Sequence, residues 1–480
     1  MFEARDEWPS VVKAEANRPD VRVAWLFVRL LGLIYVAAFA SLSVQITGLV
    51  GQDGILSVTA YLDAALAQHG HAAYWQLPTL FWFDESDAAL VGACFAGIAA
   101  AILVVLGVFE TLGLVASYVL YLSLVVAGQD FTSFQWDLLL LESGFLAIFL
   151  RLHPLLVAWL FRWLLARYMF MSGVVKLASG DPAWRNLDAL SYHFETQPLP
   201  SPLAWWAHQL PDAVLRAATA SALVIELVLP FFIVLGRRLR LTAALGFVVL
   251  QVSIMLTGNF TFFNLLTVAL CVFLLDDRDL QGLPGRRQLV GSRSPGMLAT
   301  AAASALSVGV ISACAGLLWI GARVGPPPAP LAWLARTAST FGIVNGYGPF
   351  AVMTTERSEI VIEGSNDGVD WREYPFRYKP GDPARPLVWL IPHQPRLDWQ
   401  MWFAALPGGF HTRWFPRLLQ RLRDRTPAVM GLLESNPFAD GGPRLLRAVL
   451  FRYSFTDPDE RRADGRIWRR ERLGPYPPIP

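Results

Sequence analysis

The feature that most constrains this chain is a long stretch without positive charge. No Lys or Arg occurs between Leu31 and Leu150, and apolar runs fill most of that stretch. Charged residues make up 16% of the chain, whereas soluble domains carry about 25%. The deficit is local, because the last third of the chain is rich in arginine. This pattern predicts an integral membrane protein with one domain outside the membrane.

Apolar runs recur along the first two thirds of the chain, and they predict a multi-pass α-helical membrane bundle of about nine spans. Some of them are shorter than the ~20 residues that a spanning helix needs. The runs lie near residues 24–46, 88–109, 112–128, 134–150, 154–175, 213–236, 239–257, 259–275 and 297–321. Residues 1–23 mix acids and bases and are predicted to be a cytoplasmic segment, not a cleaved signal peptide.

Basic residues between the runs predict the orientation of the bundle, since Lys and Arg favour cytoplasmic loops. When the nine runs are threaded in turn, four basic clusters fall on one side. They contain Arg5, Lys13, Arg18, Arg22, Arg151, Arg237, Arg238, Arg240, Arg278, Arg286, Arg287 and Arg293. The cytoplasm then holds these clusters. Loops 47–87 and 176–212 lie on the other side with everything after Gly325.

The end of the chain reads as a separate domain. The proline-rich segment 325–330 is predicted to be a stiff linker between the membrane domain, 24–324, and the final domain, 331–480. Alternating apolar residues flank Asn366-Asp367-Gly368, which is a strong β-hairpin signal. The run LVWLIPHQPRLDWQMWFAAL is predicted to pass from strand to helix, and LLRAVLFRYSFT to form another strand. An extracytoplasmic α+β domain with a β-rich centre is therefore expected.

Four charged residues within the apolar runs form a candidate intramembrane cluster, because an unpaired charge at membrane depth is costly. They are Asp137, Glu142, Arg167 and Glu226. One interpretation is structural: Arg167 pairs with Glu142 or Glu226 and fixes the packing of the helices. The alternative is that these charges line a polar cavity.

The loop after the fifth run carries a second group of ionisable residues. Lys176 ends the run, where it can meet the helix dipole or lipid headgroups, or act as a base against apolar walls. His193 and Glu195 would share one side of an extended segment, which fits acid–base chemistry or a hydrogen-bond network that locks the loop. No metal site is expected, since the spacing of His193, His208 and Glu195 matches no zinc pattern.

Two amides, Asn259 and Asn264, lie at the turn between two apolar runs, where amides cap helix ends or hydrogen-bond between helices. No GxSxG, Walker A, GxGxxG or HExxH motif occurs, so the sequence predicts no cofactor. The net charge of +2 gives no reason to expect nucleic acid as a partner. The oligomeric state is not indicated by any of these patterns.

Several segments resemble the lipase maturation factor family. They are YHFETQPLPSPLAWWAHQLP, TGNFTFFNLLTVALCVFLLDD, QWDLLLLESGFLAI, ERSEIVIEG, YKPGDPARP, RLDWQMWFAAL and FTDPDERRADGRIWRRERLGPY. The resemblance runs from about residue 24 to residue 478. The loop that belongs to it includes Asp181, Trp184, Thr196, Gln197 and Pro198.

The resemblance implies a membrane protein that helps exported lipases to fold or assemble, as animal members do in the endoplasmic reticulum. It implies a lipase-like client that contacts the C-terminal domain, with membrane lipids as the other partner. Candidate contacts are Trp371, Arg396, Trp399 and Trp402, if these residues are exposed and not part of the domain core. The Ala-, Arg- and Gly-rich chain without an ER retention signal favours a bacterial inner-membrane protein whose C-terminal domain is periplasmic.

A shorter segment, Ser172-Gly-Val-Val-Lys-Leu177 followed by Trp184, is similar to part of the membrane domain of vitamin K-dependent carboxylase. A lysine at the position of Lys176 is the catalytic base of that family. This resemblance implies an alternative function, a membrane enzyme for a lipid-like or quinone-like molecule. Its cavity would be lined by Lys176, Glu142, Arg167, His193 and Glu195, with Lys176, His193 and Glu195 as the catalytic residues. A transporter is a third possibility, but no inverted repeat is visible. The sequence favours a maturation factor over an enzyme.

Overall fold

The computed structural model describes residues 21–282, 296–322, 325–409, 412–438 and 441–476. Its main helices are α1 (Val21–Ser43), α2 (Asp87–Leu106), α3 (Glu110–Ala127), α4 (Gln135–Ile148), α5 (Pro154–Ala178), α6 (Asp212–Leu227), α7 (Arg237–Thr257), α8 (Phe263–Leu270), α9 (Met297–Ala322), α10 (Ala329–Thr340), α11 (Arg396–Ala405) and α12 (Trp414–Arg423). Short helices occupy Ile46–Val50, Val58–His69, Ala73–Gln76, Pro182–Arg185, Ala189–Thr196, Ala204–His208, Leu229–Phe232, Pro427–Met430 and Pro458–Asp464. Most of the predicted segment 1–23 and the basic residues 286–293 lie outside the described residues.

The prediction of nine membrane spans is not supported. Among the described residues, six helices are long and apolar enough to cross a membrane: α1, α2, α3, α5, α7 and α9. The other three apolar runs form shorter or broken helices. Helix α4 has 14 residues, α6 has 16 and is followed by a separate turn at Leu229–Phe232, and α8 has eight before it tightens into a 3₁₀ turn. Apolar composition alone does not separate such short buried helices from spans.

Contacts between loops define the two ends of the bundle. At one end, the backbone N–H of Arg22 donates to Asp277 (2.8 Å), Arg240 pairs with Asp276, and Glu110 pairs with Arg151 (3.2 Å). These contacts bring together basic loops that the sequence places on one side. Helix α1, with 23 residues, carries the chain from this end over about 34 Å to the other. The final domain lies at that second end.

Helices α9 and α10 form a hairpin, and the predicted linker 325–330 contains its turn. Gly316 of α9 faces α10 so closely that an added Cβ would lie 2.8 Å from both the carbonyl oxygen of Leu331 and the Cβ of Ala335. Helix α10 therefore runs back along α9. Beyond it, the hydroxyl of Tyr118 in α3 donates to the carbonyl of Phe341 (2.5 Å). The start of the final domain is thus packed inside the bundle.

The final domain contains a four-stranded antiparallel sheet in the order β2-β1-β3-β4. Its strands are β1 (Arg357–Ser365), β2 (Arg372–Glu373), β3 (Leu445–Phe455) and β4 (Trp468–Tyr476). The sheet confirms the prediction of a β-rich centre, the β1–β2 hairpin and the strand at β3. The segment before α11 was predicted to begin as a strand, but residues 386–395 form no strand. Their backbone is instead bonded to the membrane domain.

Helix α11 lies between the sheet and the end of the bundle. Ile360 and Ile362 of β1 share one buried cluster with Leu397 and Met401 of α11. The other face of the sheet carries Val361, paired across the strands with Val449, and Glu363, paired with Arg447. The second face is turned away from α11, and part of it packs on the loop before α6, because Val361 and Val449 share a buried cluster with Phe194 and Trp205. We call this second face the outward face.

The close contact between α9 and α10 predicts a position-specific effect of glycine replacement. Gly316→Ala should lower the free energy of unfolding by about 1–3 kcal/mol, because the new methyl group overpacks the hairpin. Gly309 lies on the same helix with no atom within 4 Å of an added Cβ. Gly309→Ala should be neutral or gain up to about 1 kcal/mol of helix propensity. Thermal unfolding in detergent measures both, and equal melting temperatures would argue against this hairpin.

Candidate functional site

The residues singled out in the sequence meet in a series of buried contacts between the bundle and the final domain. The first joins Asp137, in the first turn of α4, to Arg396, the first residue of α11. Two guanidinium nitrogens of Arg396 lie 2.7 and 2.9 Å from the two carboxylate oxygens. The hydroxyl of Tyr121 donates to the same carboxylate (2.5 Å). Arg396 is 1% exposed, so the pair joins the two domains and leaves Arg396 unavailable to a client.

The second contact centres on Glu142, five residues further along α4. One carboxylate oxygen pairs with Arg167 of α5. The other accepts from the backbone N–H of Asn345 (3.2 Å) and the hydroxyl of Tyr347 (2.8 Å). Arg167 also donates to the carbonyl of Asn345. Asn345 and Tyr347 belong to the segment FGIVNGYGPF, which the sequence assigns to the domain outside the membrane.

The third contact pairs Lys176, near the end of α5, with Glu226 of α6. The ammonium nitrogen lies 2.8 Å from both carboxylate oxygens and 3.1 Å from the carbonyl of Ser172. Its cation also lies over the ring of Trp184, 5.2 Å from the centroid. An ammonium group has three protons to donate, and three acceptors surround it here. The arrangement is suited to holding α5 and α6 together. Of the two partners predicted for Arg167, the structure shows Glu142, and Glu226 pairs with Lys176 instead.

The loop between α5 and α6 is tied to the final domain at its start. Asp181 accepts from the backbone N–H of Ala183 (2.8 Å), which begins a short helix, and from the backbone N–H of Met353. The indole of Trp184 donates to the carbonyl of Phe350 (2.9 Å). Both family-motif residues therefore hold the chain just before β1 against the bundle.

Arg357, at the start of β1, binds the end of the same loop. Its guanidinium donates to the backbone carbonyls of Glu195 (2.8 Å), Gln197 and Pro198 (2.8 Å). The side chain of Glu359 pairs with it at 2.6 Å. Since this arginine is 1% exposed, its charge is neutralised and its donors are used within the protein. Arg357 lies in the motif ERSEIVIEG, but nothing local to the sequence marks it as the partner of a distant loop.

Two of the tryptophans considered as exposed contacts are buried. The indole N–H of Trp402 donates to the carbonyl of Thr196 (2.7 Å). Trp399 packs edge-on against Trp136 of α4, with ring centroids 4.7 Å apart. Trp402 and Trp399 are 9% and 3% exposed, so both are part of the protein core and not exposed contacts. Trp371 is half-buried and stacks on Arg447 at 3.7 Å.

The two amides after α7 act as connectors. The Asn259 side chain donates to the carbonyl of Val388 (2.9 Å) and accepts from the backbone N–H of Leu390 (2.8 Å). The Asn264 side chain donates to that of Gln251 (2.6 Å). Asn259 thus links the membrane domain to the final domain, and Asn264 links α8 to α7.

His193 and Glu195 do not act as a pair. Both lie on the helix Ala189–Thr196, where residues two apart do not face each other. The ring of His193 packs against Phe260 and Phe350, whereas the carboxylate of Glu195 accepts from the backbone N–H of Phe455 (2.9 Å). Burial, and then the charge of Lys176, lower the pKa of His193 from 6.5 to about 4.

Metal binding finds no support in the part of the chain that the structure describes. No group of three or more His, Cys, Asp or Glu residues there is placed to hold an ion. The cysteines Cys94, Cys271 and Cys314 are buried and unpaired. The ionisable side chains of the three contacts are directed at each other and leave no coordinating set.

An open cleft of about 670 Å³ lies on the outward face of the sheet. Val361 of β1, Glu373 of β2 and Arg470 of β4 line one side, and the turn from Pro380 to Pro386 lines the other. Arg470 reaches across Phe451, 3.9 Å from its ring centroid, to pair with Glu373 at 2.6 Å. Arginine and aromatic side chains are enriched in protein–protein interfaces, and Arg470, Tyr374 and Phe376 line this cleft.

The Lys176–Glu226 pair predicts a large loss of stability when one partner is removed. Lys176→Met should cost about 3–5 kcal/mol of unfolding free energy, because it leaves a buried carboxylate uncompensated. Adding Glu226→Gln should recover most of that loss. Thermal unfolding of both variants in detergent measures this. If Lys176→Met were as stable as the wild type, the Lys176–Glu226 pair would not hold the two helices together.

The lowered pKa of His193 predicts a pH-dependent stability. The folded state holds a neutral ring, while the unfolded chain takes up a proton below pH 6.5. Stability should therefore be complete above pH 6.5 and fall as the pH drops towards 4, by up to about 3 kcal/mol. Unfolding followed against pH tests this, with His193→Phe as the control. The stability difference between wild type and control should be constant above pH 7 and change as the pH falls, and a difference at pH 4.5 equal to that at pH 7 would contradict the assignment.

Comparisons with known proteins agree with this two-part structure. The family model described as lipase maturation factor transmembrane domain matches residues 22–282, and the one described as lipase maturation factor C-terminal domain matches residues 343–478. The second match begins in the segment that bonds to Glu142. No solved structure matches the chain.

Individual relatives cover nearly all of the chain. Lipase maturation factor 1 of Bos taurus is 34% identical over 513 residues, which covers 98% of this chain and 91% of the relative. Lipase maturation factor 2 of Mus musculus is 35% identical over 587 residues, which covers 93% and 81% respectively. The resemblance inferred from the sequence motifs is confirmed. This chain belongs to the lipase maturation factor family.

Proposed function

We propose that this protein helps an exported lipase to reach its active form and that the client binds the outward face of the C-terminal domain. The proposed binding of the client to this face rests on the cleft between the sheet and the Pro380–Pro386 turn. It combines apolar surface with two ion pairs, Glu373–Arg470 and Arg385–Glu434. A folding client presents apolar segments together with polar backbone, and such a surface can bind both.

Rigid attachment supports this placement. Three buried contacts cross between the bundle and the final domain. They join Asp137 to Arg396, Glu142 to Asn345 and Tyr347, and Arg357 to backbone carbonyls of residues 195–198. A domain fixed at several buried points presents its outward face in one orientation relative to the membrane. A preorganised surface loses less entropy when it binds.

The orientation relative to the membrane is part of the proposal. The basic end of the bundle, with Arg22, Arg151 and Arg240, faces the cytoplasm. The C-terminal domain then faces the exported side, which is the periplasm in a bacterium and the ER lumen in a eukaryote. An exported lipase passes through that compartment as it folds. The location of the client and that of the outward face therefore agree.

The enzyme alternative receives less support from the geometry. A base must approach a substrate proton within hydrogen-bond distance. Around Lys176, however, the acceptor positions are filled by both oxygens of Glu226 and the carbonyl of Ser172. His193 packs among aromatic rings, and Glu195 is bonded to the backbone of β3. We infer that these residues stabilise the scaffold that carries the client surface.

Filling the cleft should impair maturation without unfolding the protein. Ala384 is exposed and lines the cleft, so Ala384→Trp should block it. We expect a several-fold loss of specific activity of a co-expressed secreted lipase, with unchanged amount and melting temperature of the membrane protein. The matched control is Ala463→Trp, at an exposed site on the helix Pro458–Asp464, which should mature the lipase normally.

If Ala384→Trp supports full lipase activity, client contact through this cleft is wrong, whatever the family role. Trp371→Ala provides a second probe, since Trp371 is the one sequence-predicted contact that stays accessible. Co-purification of lipase with each variant separates loss of binding from loss of a later step. Deleting the whole domain would not do so, because it would leave Asp137 without Arg396 and Glu142 without Asn345 and Tyr347.

A further inference from the structure

An apolar loop of the C-terminal domain is attached through its backbone, and its exposed side chains take no part in the contacts described above. Residues 386–393 read PLVWLIPH and contain no Asp, Glu, Lys or Arg. They form neither strand nor helix, and Val388 and Trp389 are 44% and 55% exposed. In a domain surrounded by water, an exposed tryptophan on a charge-free loop points to a binding partner.

Hydrogen bonds fix this loop at the end of the bundle. Asn259 lies two residues beyond the last residue of α7 and bonds to both Val388 and Leu390, at 2.9 and 2.8 Å. At the other end of the loop, Nδ1 of His393 lies 3.0 Å from the hydroxyl of Ser41, close to the end of α1. Both attachment points are at ends of membrane-spanning helices. The loop therefore lies at the level where the hydrocarbon core gives way to headgroups.

The exposed surface of α7 leads up to the same level. Val249, Val252 and Leu256 are 51%, 38% and 45% exposed on that helix, as expected for side chains that face lipid. Directly beyond them, Ser201 bonds to the carbonyls of Leu256 (2.5 Å) and Thr257 (3.3 Å). Ser201 precedes a short turn that exposes more apolar surface.

Leu203 on that turn and Trp206 on the short helix Ala204–His208 that follows are 38% and 59% exposed. The lipid-facing surface of α7 thus continues into apolar side chains of two segments that do not span the membrane. One belongs to the loop before α6 and the other to the C-terminal domain. Both meet at Asn259, whose backbone N–H donates to the carbonyl of Leu199 (3.0 Å).

We propose that the 386–393 loop and Trp206 insert into the interfacial region of the exported leaflet, so that the C-terminal domain is itself held by lipid. Tryptophan prefers this region because its ring is apolar and its N–H can reach headgroups or water. The partner is the lipid bilayer and not the client. The loop lies at the ends of α1 and α7, whereas the client cleft opens on the face of the sheet that is turned away from α11.

Site-directed spin labelling tests this in the full-length protein in phosphatidylcholine nanodiscs. Native Cys94, Cys271 and Cys314 are at most 4% exposed, so an introduced cysteine can be labelled selectively. A nitroxide is placed by Trp389→Cys, with Leu256→Cys as the lipid-facing reference and Val369→Cys as the aqueous reference. Val369 is 84% exposed beside Asp367 and Asp370.

Collision with oxygen, which partitions into lipid, is compared with collision with nickel-EDDA, which stays in water. The label at 389 should show an oxygen-to-nickel ratio several-fold above that at 369 and close to that at 256. A ratio equal to that at 369 would overturn the proposal. Protection that arises only when a lipase is added would also overturn it, since the loop would then be a client site. Val388→Cys repeats the measurement if the label at 389 perturbs folding.

Discussion

The carboxylate of Glu142 is the group on which the arrangement of the two domains depends. It is 1% exposed and lies in a bundle where water is scarce, so its charge must be neutralised and its oxygens must be bonded. Arg167 provides the counter-charge from the middle of the 25-residue helix α5. Asn345 and Tyr347 provide the remaining bonds, although they belong to the C-terminal domain. The start of that domain is thereby held deep in the bundle, about 16 Å from the end of α5.

The same principle recurs closer to the exported end. Asp137 binds Arg396, and Arg357 gathers the carbonyls of the loop that follows α5. In each case a buried charge from one domain is satisfied by the other domain. The charged side chains of these three contacts are therefore paired within the protein. This pairing supports our proposal that these residues stabilise the scaffold that carries the client surface.

Helix α11 separates the two surfaces of the C-terminal domain for which we propose different partners. Above it, the outward face carries the cleft with its ion pairs. Below and beside it, the loop with Trp389 follows the ends of α7 and α1. If lipid holds the loop, the membrane adds a further constraint on the tilt of the sheet. A client that emerges beside the bilayer would then meet the cleft at a fixed height above the headgroups.

The sequence by itself determined the membrane class, the family, the β1–β2 hairpin and the strand β3, because apolar runs, turn residues and alternation are local signals. It also marked the ionisable residues, including Lys176 and Glu226. Only the tertiary structure decided their partners, because Glu142 and Asn345 are 203 residues apart in the chain and no local pattern encodes such a pair. It likewise decided that α4 and α8 are short buried helices and that Trp399 and Trp402 lie in the core. Apolar composition shows that a residue avoids water, but tertiary packing decides whether lipid or protein surrounds it.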